Sequence, residues 1–240
     1  MSGAVVALVP AFRAERTVGA TVRALSGLAA VDEVVVVDDG SDDATSGQAR
    51  AAGAHVLTLS VNRGKGGAVV AGVAARPGAS VYLLVDADTG ATAGAAALLV
   101  EPLASADADM VIAVLPSAGA RGGFGVVSRL AAWGIKARCG FAARAPLSGQ
   151  RAVRGPLLRS LALAPRFGLE VRMTIDAVQA GARVMEVLAP FDHHHRGRDL
   201  EGFWHRARQG TDVVAALLAA RSGPALDSGP PSWCQEDRWR

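Results

Sequence analysis

Only two of the 240 residues are cysteine, only two are lysine, and aromatic side chains make up 5% of the chain. Cys139 and Cys234 form neither a Cys-x-x-Cys pair nor a disulfide framework, so a reducing, cytoplasmic setting is expected. No run approaches the roughly 20 apolar residues of a membrane span. The amino end passes from Met1-Ser2-Gly3 straight into an apolar run, without the basic segment and cleavage site of a signal peptide. No basic run with interleaved aromatics occurs, so nucleic acid is not an expected partner. The shortage of Phe, Tyr and Trp disfavours an aromatic-rich β-sandwich core.

What is present is small and aliphatic. Half the residues are hydrophobic, mostly Ala, Val and Leu, which suits a core of closely packed helices and strands. The net charge is +3. The high isoelectric point, 9.4, follows from cations that are nearly all Arg.

Continuous apolar runs stand at Val5–Val9, Val34–Val37, His55–Leu59, Val81–Val85 and Met110–Val114. Between them lie Ala-rich segments of helical length: Glu15–Gly27, Asp43–Ala52, Lys65–Ala75 and Thr92–Ala104. This alternation predicts an α/β fold with a mostly parallel sheet covered on both faces. Ser41 or Asp42 is expected to cap the second helix, and Gly53 to close it. Beyond residue 115 the pattern loosens. Helices are expected at Phe124–Arg138, Val153–Leu163, Phe167–Ala180 and about Leu200–Ala220, a loop at Pro146–Arg151 and a strand at Arg183–Leu188. The expected organisation is one domain, 1–221, with halves 1–115 and 116–221, and a disordered Pro/Gly/Ser-rich tail, 222–240.

Ligands of an open parallel sheet bind at the carboxyl ends of its strands. Four successive strands here end in polar groups. Pro10-Ala11-Phe12 and Glu15 follow the first, Asp38-Asp39-Gly40-Ser41 the second, Asn62-Arg63-Gly64-Lys65-Gly66-Gly67 the third, and Asp86-Ala87-Asp88 the fourth. Clustered carboxylates repel unless a cation or donor compensates them, and a purely structural role gives no reason for the cluster. Asp86 and Asp88 could hold Mg²⁺ or Mn²⁺ through hard oxygen ligands, or simply cap a helix above a solvated turn. Asp38 could accept from a base or ribose while Asp39-Gly40 makes the turn.

The glycine segment is not a Walker A loop, because position 59 is Leu and Gly66 follows Lys65. It is not a dinucleotide fingerprint either, because Val69 stands at the third glycine. Lys65 and the helix-start N–H groups favour an anion, the alternative being a surface turn. His193-His194-His195 with Arg196 and Arg198 could supply a metal ligand and phosphate contacts, or form a solvated loop. Glu170 opens an apolar helix, where burial could raise its pKa for acid–base work, or where the helix dipole could simply favour it.

Taken in order, Val9-Pro10-Ala11-Phe12, Val37-Asp38-Asp39-Gly40-Ser41, Asn62-Arg63-Gly64-Lys65-Gly66 and Asp86-Ala87-Asp88 resemble the GT-A nucleotide-sugar glycosyltransferases of the broad family-2 group. Pro146-Leu147-Ser148-Gly149-Gln150-Arg151, Phe167-Gly168-Leu169-Glu170-Val171 and Thr174-Ile175-Asp176 resemble the related actinobacterial glucosyl-3-phosphoglycerate synthases. The resemblance spans roughly residues 4 to 215 and implies a single-domain, Rossmann-like GT-A fold.

It implies that Pro10, Ala11, Phe12 and Glu15 line the nucleobase site, that Asp38 and Asp39 lie at the base or ribose, and that Lys65 contacts the base or diphosphate. Asp86 would meet ribose and metal, and Asp88 would be the principal ligand of Mg²⁺ or Mn²⁺. A histidine is implied as a further ligand. The spacing from Gly197-Arg198-Asp199 suggests His193 and the His-Arg pair suggests His195; His193 is preferred. Asp88 and Glu170 would be the catalytic carboxylates, with Gln150, Arg151, Arg196 and Arg198 around the acceptor and phosphates. The match departs at Gln150, where the phosphoglycerate enzymes typically carry Glu.

The implied partners are a nucleoside-diphosphate sugar, UDP favoured, and a small or lipid-phosphate acceptor, with peripheral membrane contact and a homodimer both compatible. Retention or inversion stays open. The alternatives are an inverting polyprenyl-phosphate sugar synthase and a non-catalytic nucleotide-binding module. A sugar-nucleotide pyrophosphorylase is disfavoured, since Pro10-Ala11-Phe12-Arg13 lacks that class's glycines.

Overall fold

A computed structural model describes residues 3–116, 124–163 and 168–192. His193, Arg196, Arg198, the expected helix at 200–220 and the tail lie outside the described residues.

The strands follow the expected runs with one exception, the short one at Arg151–Arg154. They are β1 (Val5–Ala11), β2 (Glu33–Asp38), β3 (His55–Thr58), β4 (Val81–Leu84), β5 (Met110–Val114), β6 (Arg151–Arg154) and β7 (Val184–Leu188). The helices are α1 (Val18–Ser26), α2 (Thr45–Ala51), α3 (Gly64–Ala75), α4 (Ala97–Ala104), α5 (Phe124–Cys139), α6 (Gly155–Ser160) and α7 (Leu169–Gln179), with a 3-10 turn at Gly90–Ala96 leading into α4.

One seven-stranded sheet, ordered β3-β2-β1-β4-β6-β5-β7, joins both halves of the chain. Among the described strands β6 alone runs antiparallel, to β4 on one side and β5 on the other. Residue alternation splits the core into two layers. Val6, Leu8, Val35, Val37, Tyr82 and Ile112 face α3, α5, α6 and α7. Val5, Ala7, Val9, Val36, Leu83 and Val111 face α1, α2 and α4. Gly72 lets α3 approach closely, since a Cβ there would sit 3.1 Å from Leu8 and Val37 side-chain carbons.

Two local expectations are corrected. The segment Pro146–Arg151, expected as a loop, ends by entering β6, and the helix expected from Val153 begins only at Gly155. β6 is four residues long and bracketed by arginines, so it carries no apolar run to betray it. The start of α2 is not served by Ser41 or Asp42. Asp43 accepts the Thr45 N–H at 3.0 Å, while Ser41 and Asp42 are drawn to Arg13 instead.

The first half winds outward from β1 to β2 and β3, then reverses to β4 on the other side. The carboxyl ends of β1 and β4 are therefore adjacent, and the crevice above them is where such sheets bind ligands.

Candidate active site

The centre of this edge is an ion cluster assembled from four elements. Lys65, in the first turn of α3, places Nζ 2.6 Å from Asp86 Oδ1 beyond β4 and 2.8 Å from Glu170 Oε1 in α7. Burial alone would lower the pKa of the Lys65 ammonium, but the two carboxylates outweigh it and hold the pKa above its usual value. Gln150, immediately before β6, donates from Nε2 to Asp86 Oδ2 at 2.9 Å and accepts the Asp86 N–H on Oε1, also at 2.9 Å. Gly149 packs against the pair. A Cβ there would overlap Lys65 Nζ and lie 2.5 and 2.9 Å from the two Asp86 oxygens.

The Asp86-Ala87-Asp88 turn is gripped along its backbone. Thr89 Oγ1 donates to the Asp86 carbonyl at 2.9 Å, and Thr21 Oγ1, from α1, donates to the Ala87 carbonyl at 3.0 Å. Asp88 emerges partly exposed beyond the buried Ala87.

Arg151 lies below the cluster and is 1% exposed. Its hydrogen bonds go to neutral oxygens: Nε to the Ser148 carbonyl and Nη1 to Thr174 Oγ1, both at 2.8 Å. Thr174 in turn donates to the Glu170 carbonyl. Burial pushes the guanidinium pKa down to about 10, against the pull of Glu170, Glu186 and Asp86. It remains a cation at neutral pH and offsets the acidic cluster from beneath. Arg151, expected near the acceptor, thus has almost no accessible surface.

The two aspartates at the carboxyl end of β2 also turn inward. Asp38, 1% exposed, accepts from the Ser41 N–H at 3.0 Å and from Ser46 Oγ at 2.5 Å. Asp39 accepts the Arg63 and Gly64 N–H groups at 2.7 Å each, acting as a cap for α3 donated from β2. Burial raises the Asp39 pKa, and these backbone donors only partly offset it. Asp38, expected toward the ligand, is thus buried against Ser41 and Ser46, and Asp39, expected in the turn, caps α3. Both brace the loops that frame the crevice.

At the rim, Pro10 is half-buried and Ala11 buried. Phe12 is 42% exposed, with the Arg13 guanidinium 5.3 Å from its ring centre. Glu15 accepts the Ala44 N–H at 3.1 Å. Sequence reasoning quoted Gly149 and Thr174 only as members of matched motifs, without a role, and passed over Thr21; the roles of all three are contacts made only in three dimensions.

The profile described as Glycosyl transferase family 2 matches residues 6–150, from β1 to the residue before β6. The chain belongs to that family. It is a glycosyltransferase with the GT-A fold. The glucosyl-3-phosphoglycerate synthase of Mycolicibacterium paratuberculosis is 30% identical over 247 residues, covering 92% of this chain and 73% of that protein. The synthase of Mycobacterium tuberculosis is 29% identical, with coverage of 92% and 74%.

Among solved structures, the M. tuberculosis enzyme with Mn²⁺, UDP-glucose and phosphoglyceric acid matches with a TM-score of 0.78 at 28% identity, over 94% of this chain and 82% of that one. The same enzyme with Mg²⁺ and UDP matches with a TM-score of 0.78 at 27% identity, with the same coverage. Among the described residues of the present chain, no helix is long and apolar enough to cross a membrane.

Proposed function

We propose that this glycosyltransferase moves a hexosyl group, glucosyl first among the candidates, from a UDP-sugar to a small phosphorylated acceptor of the phosphoglycerate kind, with Mg²⁺ or Mn²⁺ bound. The observation that carries the reading is the Lys65–Asp86–Glu170 cluster beside Asp88. It sits at the β1/β4 switch point of a fold that relatives use with UDP-glucose, a divalent cation and phosphoglyceric acid.

The residues suit a hard divalent cation. Among the described residues no three His, Cys, Asp or Glu side chains converge into a closed cage. A nucleotide-bound Mg²⁺ or Mn²⁺ needs only one or two carboxylates, because substrate phosphates complete its shell. Asp86 is engaged by Lys65 and Gln150, and Asp88, partly exposed at the mouth of the crevice, is the carboxylate assigned to the ion, with His193 as the candidate nitrogen ligand. Once bound, the ion supplies charge neutralisation on the departing diphosphate.

The chain's own groups do the rest. Lys65 brings a fixed positive charge to the same edge, and Phe12 offers an exposed aromatic face for a base. The anomeric carbon loses its bond to the diphosphate oxygen, which keeps the electron pair. The acceptor oxygen forms the new bond and releases its proton to the departing diphosphate or to solvent. Glu170 is engaged by Lys65, so its first role is to hold the ammonium in place. Arg196 and Arg198 are candidates for the acceptor phosphate. The relatives' small phosphorylated acceptor favours this reading over a lipid phosphate.

The test is calorimetric titration of UDP with and without Mn²⁺, followed by a donor-by-acceptor screen with mass detection of product. Tight UDP binding that requires the metal, its loss in Asp88→Ala, and glucosyl transfer to phosphoglycerate are expected. Metal-independent binding, or full activity of Asp88→Ala, overturns the reading.

A further inference from the structure

We propose that Gln150 is a positioning residue for the Asp86-Ala87-Asp88 turn, acting on the donor half of the site through Asp86 rather than touching either substrate. The inference rests on the functional reading above. The side chain is 0% exposed, so it cannot reach a sugar acceptor. Each end of its amide meets Asp86, a residue 64 positions earlier in the chain. The amide orientation is unambiguous: a backbone N–H must face the amide oxygen, and a carboxylate must face the amide NH₂.

This two-point grip restrains Asp86 at both its main chain and its carboxylate. With Thr89 on the Asp86 carbonyl and Thr21 on the Ala87 carbonyl, it holds three backbone groups in succession. The turn is thus set before any ligand arrives, and Asp88 is presented from a fixed base. The grip also sorts the two aspartates, drawing Asp86 back onto Lys65 and leaving the outward position to Asp88.

The fold delivers Gln150 through β6. In that antiparallel strand Arg151 stands opposite Leu84, which aligns Gln150 with the end of β4, and the Ala113 N–H of β5 donates to the Gln150 carbonyl at 3.0 Å. In this chain the amide makes both contacts, which a carboxylate could not. Asp86 and Glu170 already share one ammonium, and a carboxylate at position 150 would set a third anion against Asp86 while removing the donor to Oδ2.

Two variants test this. Gln150→Met fills the volume without either hydrogen bond. Gln150→Glu keeps the acceptor for the Asp86 N–H but replaces the donor with an anion. UDP dissociation constants are measured with and without Mn²⁺, alongside thermal melting and steady-state kinetics. Both variants are expected to weaken Mn²⁺-dependent UDP binding by about tenfold or more, the usual scale for losing a hydrogen bond to a charged group. Metal-free UDP binding and the acceptor KM should stay near wild type.

Unchanged Mn²⁺-dependent binding in the folded variants overturns the proposal. So does equal weakening with and without metal, or a shift confined to the acceptor KM. Should Gln150→Met fail to fold, Gln150→Glu carries the test, and failure of both to fold makes the residue structural and overturns the proposal. A wild type without metal-dependent UDP binding overturns this inference and the functional reading together. A wild type that has it, beside unaffected variants, overturns this inference alone.

Discussion

Lys65 Nζ lies 2.8 Å from Glu170 Oε1, joining the first turn of α3 to the first turn of α7 across the carboxyl edge of the sheet. The same ammonium touches Asp86 at 2.6 Å, so one cation neutralises carboxylates from two elements packed by the same core layer. Whatever moves Lys65 releases a repulsive pair of acids.

Lys65→Met should therefore cost about 3 kcal/mol of stability, the scale for removing one partner from a largely buried ion cluster. Lys65→Met combined with Glu170→Gln should recover part of that loss, because one of the two stranded anions is gone. Urea unfolding of the single and double variants checks this. Equal stabilities would mean the carboxylates do not interact through the lysine.

Gly149→Ala should damage activity far more than stability. The added methyl meets the Lys65 ammonium, the mobile end of a long side chain, and the short Asp86 carboxylate, so the protein can yield by displacing the ion pair. A drop in kcat/KM of about tenfold or more is expected with only a modest change in melting temperature. Wild-type kinetics in this variant would show that the pair need not be in place for transfer.

Arg151→Met should destabilise by about 2 to 4 kcal/mol, since it leaves the Ser148 carbonyl and Thr174 hydroxyl without their donor and removes a cation beneath the acids. Arg151→Lys should recover little, because an ammonium cannot span both acceptors in the fork geometry of a guanidinium. Chemical denaturation of both variants decides the matter, and full recovery with lysine would reduce the role of Arg151 to charge alone.

Acid stability should depend on Asp109. Its carboxylate ties the start of β5 to Arg183 and to Arg154 of β6. The Arg183 hydrogen bond, above all, holds its pKa below the usual 3.8. A carboxylate depressed in the folded state contributes stability that is fully present above its unfolded value and is lost as pH falls through the folded one. Wild-type stability should thus decline below about pH 4, while Asp109→Asn should be less stable at neutral pH and lose less on acidification. Lys65 behaves oppositely. Its raised pKa keeps its contribution constant below 10.5 and surrenders it only at more alkaline pH. Urea titrations from about pH 3 to pH 8 should show an acid limb that shrinks in Asp109→Asn and persists in part, because Glu33, Asp42 and Asp43 are also held below their usual values.

The amino-acid sequence by itself determined the alternating strands and helices, six of the seven strands and the edge where the polar groups gather. Val34–Val37 or Val81–Val85 read as buried strands because a strand covered on both faces is apolar at every position, and a turn residue marks its end. Those signals are local. The tertiary structure alone decided which polar residues work together. β6 carries no apolar run, yet its place between β4 and β5 brings Gln150 to Asp86 and buries Arg151. Asp38 and Asp39 lie on the same sheet edge as Asp88, but the loops beside them offer backbone donors and a serine hydroxyl that turn them inward. Such pairings depend on strand order and register, which bring together groups far apart in the chain at distances that no spacing along it encodes.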